Sequence, residues 1–199
     1  MTAPQGVRRY ADYPVQRWGI GGGTTRLVAD GHGWRLSLAD VTGDGPFSTF
    51  PDTARVLTVV EGDGLRLTVD GVDHLVRPLM PFAFDGSATT SCRLIDGPVK
   101  AFNLMTSAST PASAFEVTVR EEDALAARSP LLAAMALAPA QLAGTGLAGA
   151  GLAGTGLGSI EQQVDLARFD SVILPAGEPL SAQATARLRG RFVAVSRVG

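Results

Sequence analysis

The sequence predicts an all-β protein, a jelly-roll-type barrel of antiparallel strands. Two runs rich in β-branched and aliphatic residues, 56–60 and 65–69, flank a short polar corner at 61–64, where glycines permit a positive φ. We expect this stretch to form a β-hairpin. A second turn at 70–71 leads directly into a further predicted strand at 72–77. Such closely spaced strands leave little room for helices.

The N-terminal part of the chain is predicted to form an edge strand followed by a glycine-rich crossing. Residues 1–17 form the edge strand, and Trp18 then precedes the glycine run at 21–23. This run permits either a tight crossing between strands or direct contact of its free N–H groups with a ligand. No Gly-Lys-Ser/Thr sequence follows it, so it is not a phosphate-binding P-loop.

The alternating run 34–41 predicts the strand that is most informative about function. It places Arg35, Ser37 and Ala39 on one face and Leu36 on the other. A polar row of this kind in a barrel either faces solvent or lines a cavity. Similar alternation follows the hairpin, at 92–95, 99–105 and 115–119, so that residues 1–120 are predicted to form a first barrel half.

Beyond residue 120 the composition changes. Three acidic residues at 121–123, followed by Ala- and Leu-rich sequence, predict one short helix over 121–138 that ends before Pro139. The five-residue repeat at 142–158 is very rich in glycine, and it predicts a mobile loop that does not bury enough surface to order itself. We therefore expect a Gly/Ala-rich insertion over 121–159 and further strands over 160–199 that complete a second barrel half.

Composition limits the classes of partner. The formal net charge is -2 and the arginines are scattered, so we do not expect nucleic acid to bind. No apolar run is long enough for a membrane helix, and the N-terminus has no signal-peptide core. A single cysteine, Cys92, predicts no internal disulfide and a cytoplasmic protein. Lys100 is the only lysine among 17 basic residues, which suggests a GC-rich bacterial coding sequence.

The usual motifs of catalysis are missing from the sequence. The two histidines, His32 and His74, lie on different segments with no His-x-His spacing, so we expect no metal and no other cofactor. No serine lies in a Gly-x-Ser-x-Gly elbow, and Cys92 is expected to be a buried apolar residue. No catalytic residue is assigned.

Two arginines are the most interesting charges. Arg55 opens an apolar strand and Arg35 follows Trp34 on another, so both could point into a barrel mouth and bind a carboxylate. The alternative is that they lie on the surface and pair with local acids such as Asp40 or Asp52. The residues themselves leave both possibilities open.

A series of short motifs resembles the HutD/Ves family. Their order and spacing are similar over roughly residues 10–120, and more loosely beyond. The motifs are Trp18 with 21–25, 34–39, 45–51, Arg55, 60–62, 84–86, 96–98 and 102–105. The resemblance implies a cupin-type jelly roll arranged as a single-chain bicupin that carries no metal and binds a small metabolite. It further implies a regulatory or buffering role, with urocanate and N-formyl-glutamate as candidate ligands.

The resemblance and the strand pattern together predict a pocket near the barrel mouth. We expect both tryptophans, Trp18 and Trp34, to lie close to it. The predicted ligand-binding residues are Trp18, Gly22, Gly23, Thr25, Arg35, Ser37, Ser48, Arg55, Asn103 and Met105. A homodimer is one possible assembly.

Three positions depart from the family pattern. Gly19 and Ile20 replace the Lys-Asn pair that usually precedes the glycines, and Ala101 replaces an acid. These departures imply a different or less polar ligand, or a loss of binding.

Two alternative functions remain open. One is a metal-independent isomerase or lyase that acts on a small carboxylate, with Glu61 or Asp85 as base. The other is a structural interaction module.

Overall fold

The computed structural model describes residues 6–19, 23–110, 112–125, 131–144, 162–174 and 186–198. The strands are β1 (Gly6–Arg8), β2 (Val15–Arg17), β3 (Gly23–Gly31), β4 (Trp34–Val41), β5 (Gly45–Pro46), β6 (Thr53–Glu61), β7 (Leu65–Val69), β8 (Val72–Val76), β9 (Phe82–Asp85), β10 (Thr90–Leu94), β11 (Val99–Ser107), β12 (Phe115–Leu125), β13 (Leu131–Ala136), β14 (Ala140–Gly144), β15 (Gln162–Leu166), β16 (Ser171–Ile173) and β17 (Ala186–Arg197). Single 3-10 turns at Tyr10–Asp12 and Ala112–Ala114 are the helical elements of the described residues. The all-β prediction is confirmed. In this part of the chain, no helix has the length and apolar character needed to cross a membrane.

The chain forms two compact units. The first comprises Tyr13–Ser113, and the second combines Thr2–Asp12 with Ala114–Gly199. The predicted division into 1–120, 121–159 and 160–199, and the bicupin arrangement, stay predictions.

Two antiparallel sheets build the first unit. The larger has the strand order β2-β3-β4-β11-β6-β9, and the smaller has the order β5-β10-β7-β8. Apolar side chains from both sheets form one core, for example Leu57 and Val59 of β6 with Leu65 and Leu67 of β7. Cys92 is buried in the same core, as predicted, and burial raises the pKa of its thiol.

The corner at 61–64 does not close a hairpin, so that prediction is wrong. β6 pairs with β11 and β9, whereas β7 pairs with β10 and β8, and the corner therefore carries the chain from one sheet to the other. Gly62 and Gly64 do adopt the positive φ values expected of the turn, +94° and +99°. The tight hairpin is the next one along the chain: Asp70 and Gly71, both with positive φ, join β7 to β8.

The described strands of the second unit form one sheet. Its order is β1-β16-β13-β17-β14-β15, and β12 also pairs with β17. Residues near the start of the chain are fixed to this sheet through buried Asp170, which accepts hydrogen bonds from Arg9 Nη1 at 2.7 Å and from the backbone N–H of Tyr10 at 2.8 Å.

The helix predicted over 121–138 is wrong in the described residues. β12 continues through Leu125, and Leu131–Ala136 form strand β13, which pairs with both β16 and β17. All six residues of β13 are buried, as expected of a central strand with both faces covered. A short apolar run of this kind does not distinguish a buried strand from a helix. The partner strands decide which of the two forms.

The repeat at 142–158 is structured where it begins. Residues 142–144 belong to β14, which pairs with β15 and β17, and Leu142 is fully buried. The interpretation of the repeat as a mobile loop is therefore wrong for these three residues. Residues 145–158 lie outside the described residues.

Candidate functional site

A cavity of about 610 Å³ lies within the first unit. Its walls come from β2, β3, β4, β6 and β11 of the larger sheet, from Trp18 and Gly19, and from residues 46–50. We call it the Arg55 cavity. It is lined by Gln16, Arg17, Trp18, Gly19, Thr25, Arg35, Ser37, Ala39, Val41, Pro46, Phe47, Ser48, Phe50, Arg55, Leu57, Ala101, Asn103 and Met105.

Strand alternation explains why the polar side chains meet here. Arg35, Ser37 and Ala39 point to the same side of β4, and the structure places that face on the cavity rather than on solvent. Direct cross-strand partners share a face, so Ser37 meets Asn103 of β11 on this side of the sheet. The polar row of the sequence is therefore a cavity wall.

Arg55 is the central charge of the cavity. Its side chain is only 6% exposed, although it is a guanidinium. It donates to the backbone oxygen of Ser48 at 3.4 Å and to Asn103 Oδ1 at 3.5 Å, both at the long end of hydrogen-bond distances. Its Nε is buried with no acceptor among the described residues. Burial lowers the pKa of Arg55 to about 10, so the group stays protonated at neutral pH.

Three phenylalanines surround this guanidinium. Its central carbon lies 4.8 Å from the ring centre of Phe84, 5.3 Å from that of Phe50 and 5.5 Å from that of Phe47. Cation–π contacts of this kind offset part of the cost of burying the charge. They do not supply a counter-ion.

The local acids are not partners of either arginine. Asp40 points to the opposite side of β4 from Arg35, where it pairs with Lys100, with Arg26 at 3.7 Å and with the Thr24 hydroxyl at 3.0 Å. Burial by itself raises the pKa of Asp40, but these hydrogen bonds and charges outweigh it and hold the pKa below its usual value. Asp52 is exposed and forms no ion pair with a described residue. The alternative of surface arginines paired with Asp40 or Asp52 is therefore wrong.

Trp18 is one of the aromatic residues that line the cavity. Its indole N–H donates to Thr25 Oγ1 at 2.7 Å, and its ring meets Phe47 edge-on at 6.0 Å. The backbone oxygen of Gly23 accepts a hydrogen bond from the Trp18 N–H at 3.0 Å. A Cβ on Gly23 would lie only 2.8 Å from the Trp18 ring. At this position, glycine allows the close approach expected of a tight crossing between strands.

Most of the predicted site residues come together. Those that line the cavity are Trp18, Thr25, Arg35, Ser37, Ser48, Arg55, Asn103 and Met105. Gly23 supports Trp18 without lining the cavity, and Gly22 lies outside the described residues. Trp34 is buried and does not line the cavity, and its expected place near the mouth stays a prediction.

Sequence reasoning missed Arg17, Phe47 and Phe50. Phe47 and Phe50 belong to an irregular segment after β5, where no periodicity indicates which side chains turn inward. Their positions on either side of Ser48, within one of the family motifs, were the available signal. Arg17 is exposed on β2, next to Trp18.

The two carboxylates considered as catalytic bases lie elsewhere. Neither Glu61 nor Asp85 lines the Arg55 cavity, and exposed Asp85 accepts a hydrogen bond from the backbone of Ser87 at 2.7 Å. His32 is exposed and lies in the turn after β3. His74 of β8 packs against Phe82, with the two ring centres 4.9 Å apart. The described residues contain no cluster of three side chains suited to a metal ion.

The chain resembles known proteins along most of its length. The HutD family model matches residues 10–189. An uncharacterised 21.2 kDa protein in the hutC 3′ region of Pseudomonas putida is 46% identical over 107 residues, which are 49% of this chain and 55% of that protein. The protein Ves of Escherichia fergusonii is 36% identical over 102 residues, 47% of this chain and 53% of Ves. The chain thus spans about half the length of these curated relatives.

Solved structures agree with the sequence matches. The structure of HutD from Pseudomonas fluorescens SBW25 is 28% identical, covers 97% of this chain and 98% of that one, and superposes with a TM-score of 0.70. A cupin 2 conserved barrel domain protein from Leptotrichia buccalis is 8% identical with a TM-score of 0.57 over 96% of each chain, which shows the cupin-type fold alone. By its family match and its fold, the chain belongs to the HutD family.

Proposed function

We propose that the protein binds a small carboxylate metabolite in the Arg55 cavity and has a regulatory or buffering role. One observation carries the proposal: Arg55 lines the cavity, is buried, and has no carboxylate partner in the described part of the chain. A buried charge is costly unless an opposite charge or good hydrogen bonds compensate it. A ligand carboxylate supplies both, because it accepts two parallel N–H bonds from a guanidinium.

The chemistry of the lining favours binding over transformation. The described lining residues offer guanidinium, amide and hydroxyl groups, all of which orient a carboxylate. General acid–base catalysis needs a titratable group within hydrogen-bond reach of the substrate, and the bases considered, Glu61 and Asp85, lie outside this lining. We therefore rank ligand binding above an isomerase or lyase activity.

Calorimetric titration tests the proposal. Urocanate and N-formyl-glutamate are the first ligands to try, because the family resemblance associates the fold with histidine degradation. Arg55→Met removes the charge and keeps an apolar side chain of moderate length. We expect it to weaken binding by about 2 kcal/mol or more, which is at least tenfold in Kd.

The matched control is Arg66→Met. Arg66 is an exposed arginine of the same unit that pairs with Asp73 at 3.6 Å and does not line the cavity. Its replacement should leave the affinity unchanged. Methyl esters of the same ligands test the role of the negative charge. The proposal fails if no small carboxylate binds, or if Arg55→Met and Arg66→Met have the same effect.

A further inference from the structure

Two arginines of the cavity stand in one row across the sheet. Arg35 of β4 is the direct cross-strand partner of Met105 of β11, and Met105 is in turn the direct partner of Arg55 of β6. Cross-strand partners project from the same face, and all three side chains line the Arg55 cavity. Since neighbouring strands lie about 4.8 Å apart, the two arginine backbones are roughly 10 Å apart.

Neither guanidinium has an acidic partner. No described carboxylate forms an ion pair with Arg35 or Arg55, and the Nε atom of each is buried without an acceptor in the described residues. The nearest acid in sequence to Arg35, Asp40, is committed to Lys100 and Arg26 on the opposite side of β4. The cavity therefore has two separate places for an anionic group.

The side chain between the two arginines within the row is apolar. Met105 separates them, whereas Asn103, two residues before Met105 on β11, accepts a hydrogen bond from Arg55, and Leu57 lines the cavity from β6. A single compact anion such as phosphate is best bound by donors that converge on one point. Two cations on either side of a thioether instead complement a molecule with a carboxylate at each end of a short hydrocarbon chain.

The charge of the lining leads to the same class of ligand. Arg17, Arg35 and Arg55 contribute three positive charges, and the described lining residues include no acid. A dianion neutralises more of this excess than a monocarboxylate does. Resting on the function proposed above, we propose that the cavity is specific for a short dicarboxylate, with one carboxylate on Arg55 and the other on Arg35.

A matched ligand series tests this. The probes are succinate, glutarate and adipate, each compared with its mono-amide, which has the same length but only one carboxylate. Titrations use the full chain, with Trp18 fluorescence recorded in a Trp34→Phe background. We expect the best diacid to bind at least about tenfold more tightly than its mono-amide.

Arg35→Met locates the second carboxylate. It should weaken binding of the diacid by about tenfold while changing the affinity for the mono-amide by less than about twofold, because the mono-amide places its one carboxylate on Arg55. Arg66→Met is the control and should affect neither. Circular dichroism of each variant verifies that it is folded.

The outcomes separate this inference from the proposed function. If diacids and mono-amides bind equally, in a manner that depends on Arg55, the carboxylate-binding function stands and the dicarboxylate specificity is wrong. The specificity is also wrong if Arg35→Met weakens both ligands equally, or if inorganic phosphate binds more tightly than every diacid. If no carboxylate binds at all, both proposals fail.

Discussion

Arg55 carries a buried charge that has no carboxylate partner in the described part of the chain. The fall in the pKa of Arg55 to about 10 means that the folded protein holds this proton less tightly than the unfolded chain does. By linkage, the charge lowers stability at neutral pH, and stability from this group rises as the pH increases through about 10. Binding sites often retain such unfavourable groups because function requires them.

The first prediction follows from that cost. Replacing Arg55 by Met should leave the free energy of unfolding unchanged or raise it by up to about 2 kcal/mol, because an apolar side chain replaces a buried charge that lacks a counter-ion. Urea denaturation followed by tryptophan fluorescence measures the change.

Leu57→Ala calibrates the assay. Leu57 is fully buried two residues further along β6, and its truncation should cost about 2–5 kcal/mol. A comparable loss for Arg55→Met would mean that the three phenylalanine contacts make Arg55 a structural residue, and would weaken the case for a binding role.

Among the elements, the start of β3 packs closely against Trp18. The Trp18 ring lies against the backbone of Gly23, and the Trp18 N–H donates a hydrogen bond to the Gly23 oxygen. The glycine here is needed for space, since a side chain would collide with the indole that lines the cavity.

A pair of alanine substitutions tests this packing. A Cβ at Gly23 would lie 2.6 Å from the Asp40 backbone oxygen and 2.8 Å from the Trp18 ring, whereas at Gly19 it would meet nothing within 4 Å. Gly23→Ala should lower stability by about 1–3 kcal/mol and shift the emission of Trp18. Gly19→Ala should stay within about 0.5 kcal/mol of the parent. Equal effects of the two variants would contradict the packing argument.

Local sequence signals predicted where the strands lie better than they predicted which strands pair with one another. Period-2 alternation identified the β4 face with Arg35 and Ser37, because alternation alone decides which side chains share a face. The glycines at 62 and 64 indicated a turn correctly, but a turn within a hairpin and a turn between two sheets have the same local signature. Only the pairing with distant strands separates them, and no window of sequence contains that information.

The errors beyond residue 120 have the same origin. Leu131–Ala136 have the composition of a helix, yet they are held between β16 and β17, which begin at Ser171 and Ala186. Tertiary pairing overrides intrinsic propensity in such cases. Among site residues, Phe47 and Phe50 could not be placed, because an irregular segment has no period from which to infer direction.

At the scale of the whole molecule, the charge of the cavity lining is positive, whereas the net charge of the chain is negative. The formal net charge is -2, so the protein as a whole does not attract anions, while its cavity lining includes Arg17, Arg35 and Arg55. Arg17 is exposed, and an exposed charge acts mainly on the approach of a ligand and is screened by salt.

This gives a kinetic prediction. Arg17→Gln should slow association of the carboxylate ligand by about threefold at low ionic strength and change its dissociation rate little, because rim charges act mainly on encounter. The difference from the parent should disappear at about 0.5 M salt. Stopped-flow fluorescence of Trp18 measures both rates. Arg66→Gln is the control, and a slower association in that variant would show a general charge effect rather than one of the rim.

Because residues 6–12 belong to the second unit, they can pair only late in synthesis. Residues 13–113 are contiguous, so all strands of the first unit leave the ribosome before most of the second unit exists. β1 and Arg9 must wait for their partners, since 161 residues separate Arg9 from Asp170. At typical elongation rates that interval is about 8–30 s. For that time residues 6–9 lack strand β16 and Asp170, their partners in the folded protein.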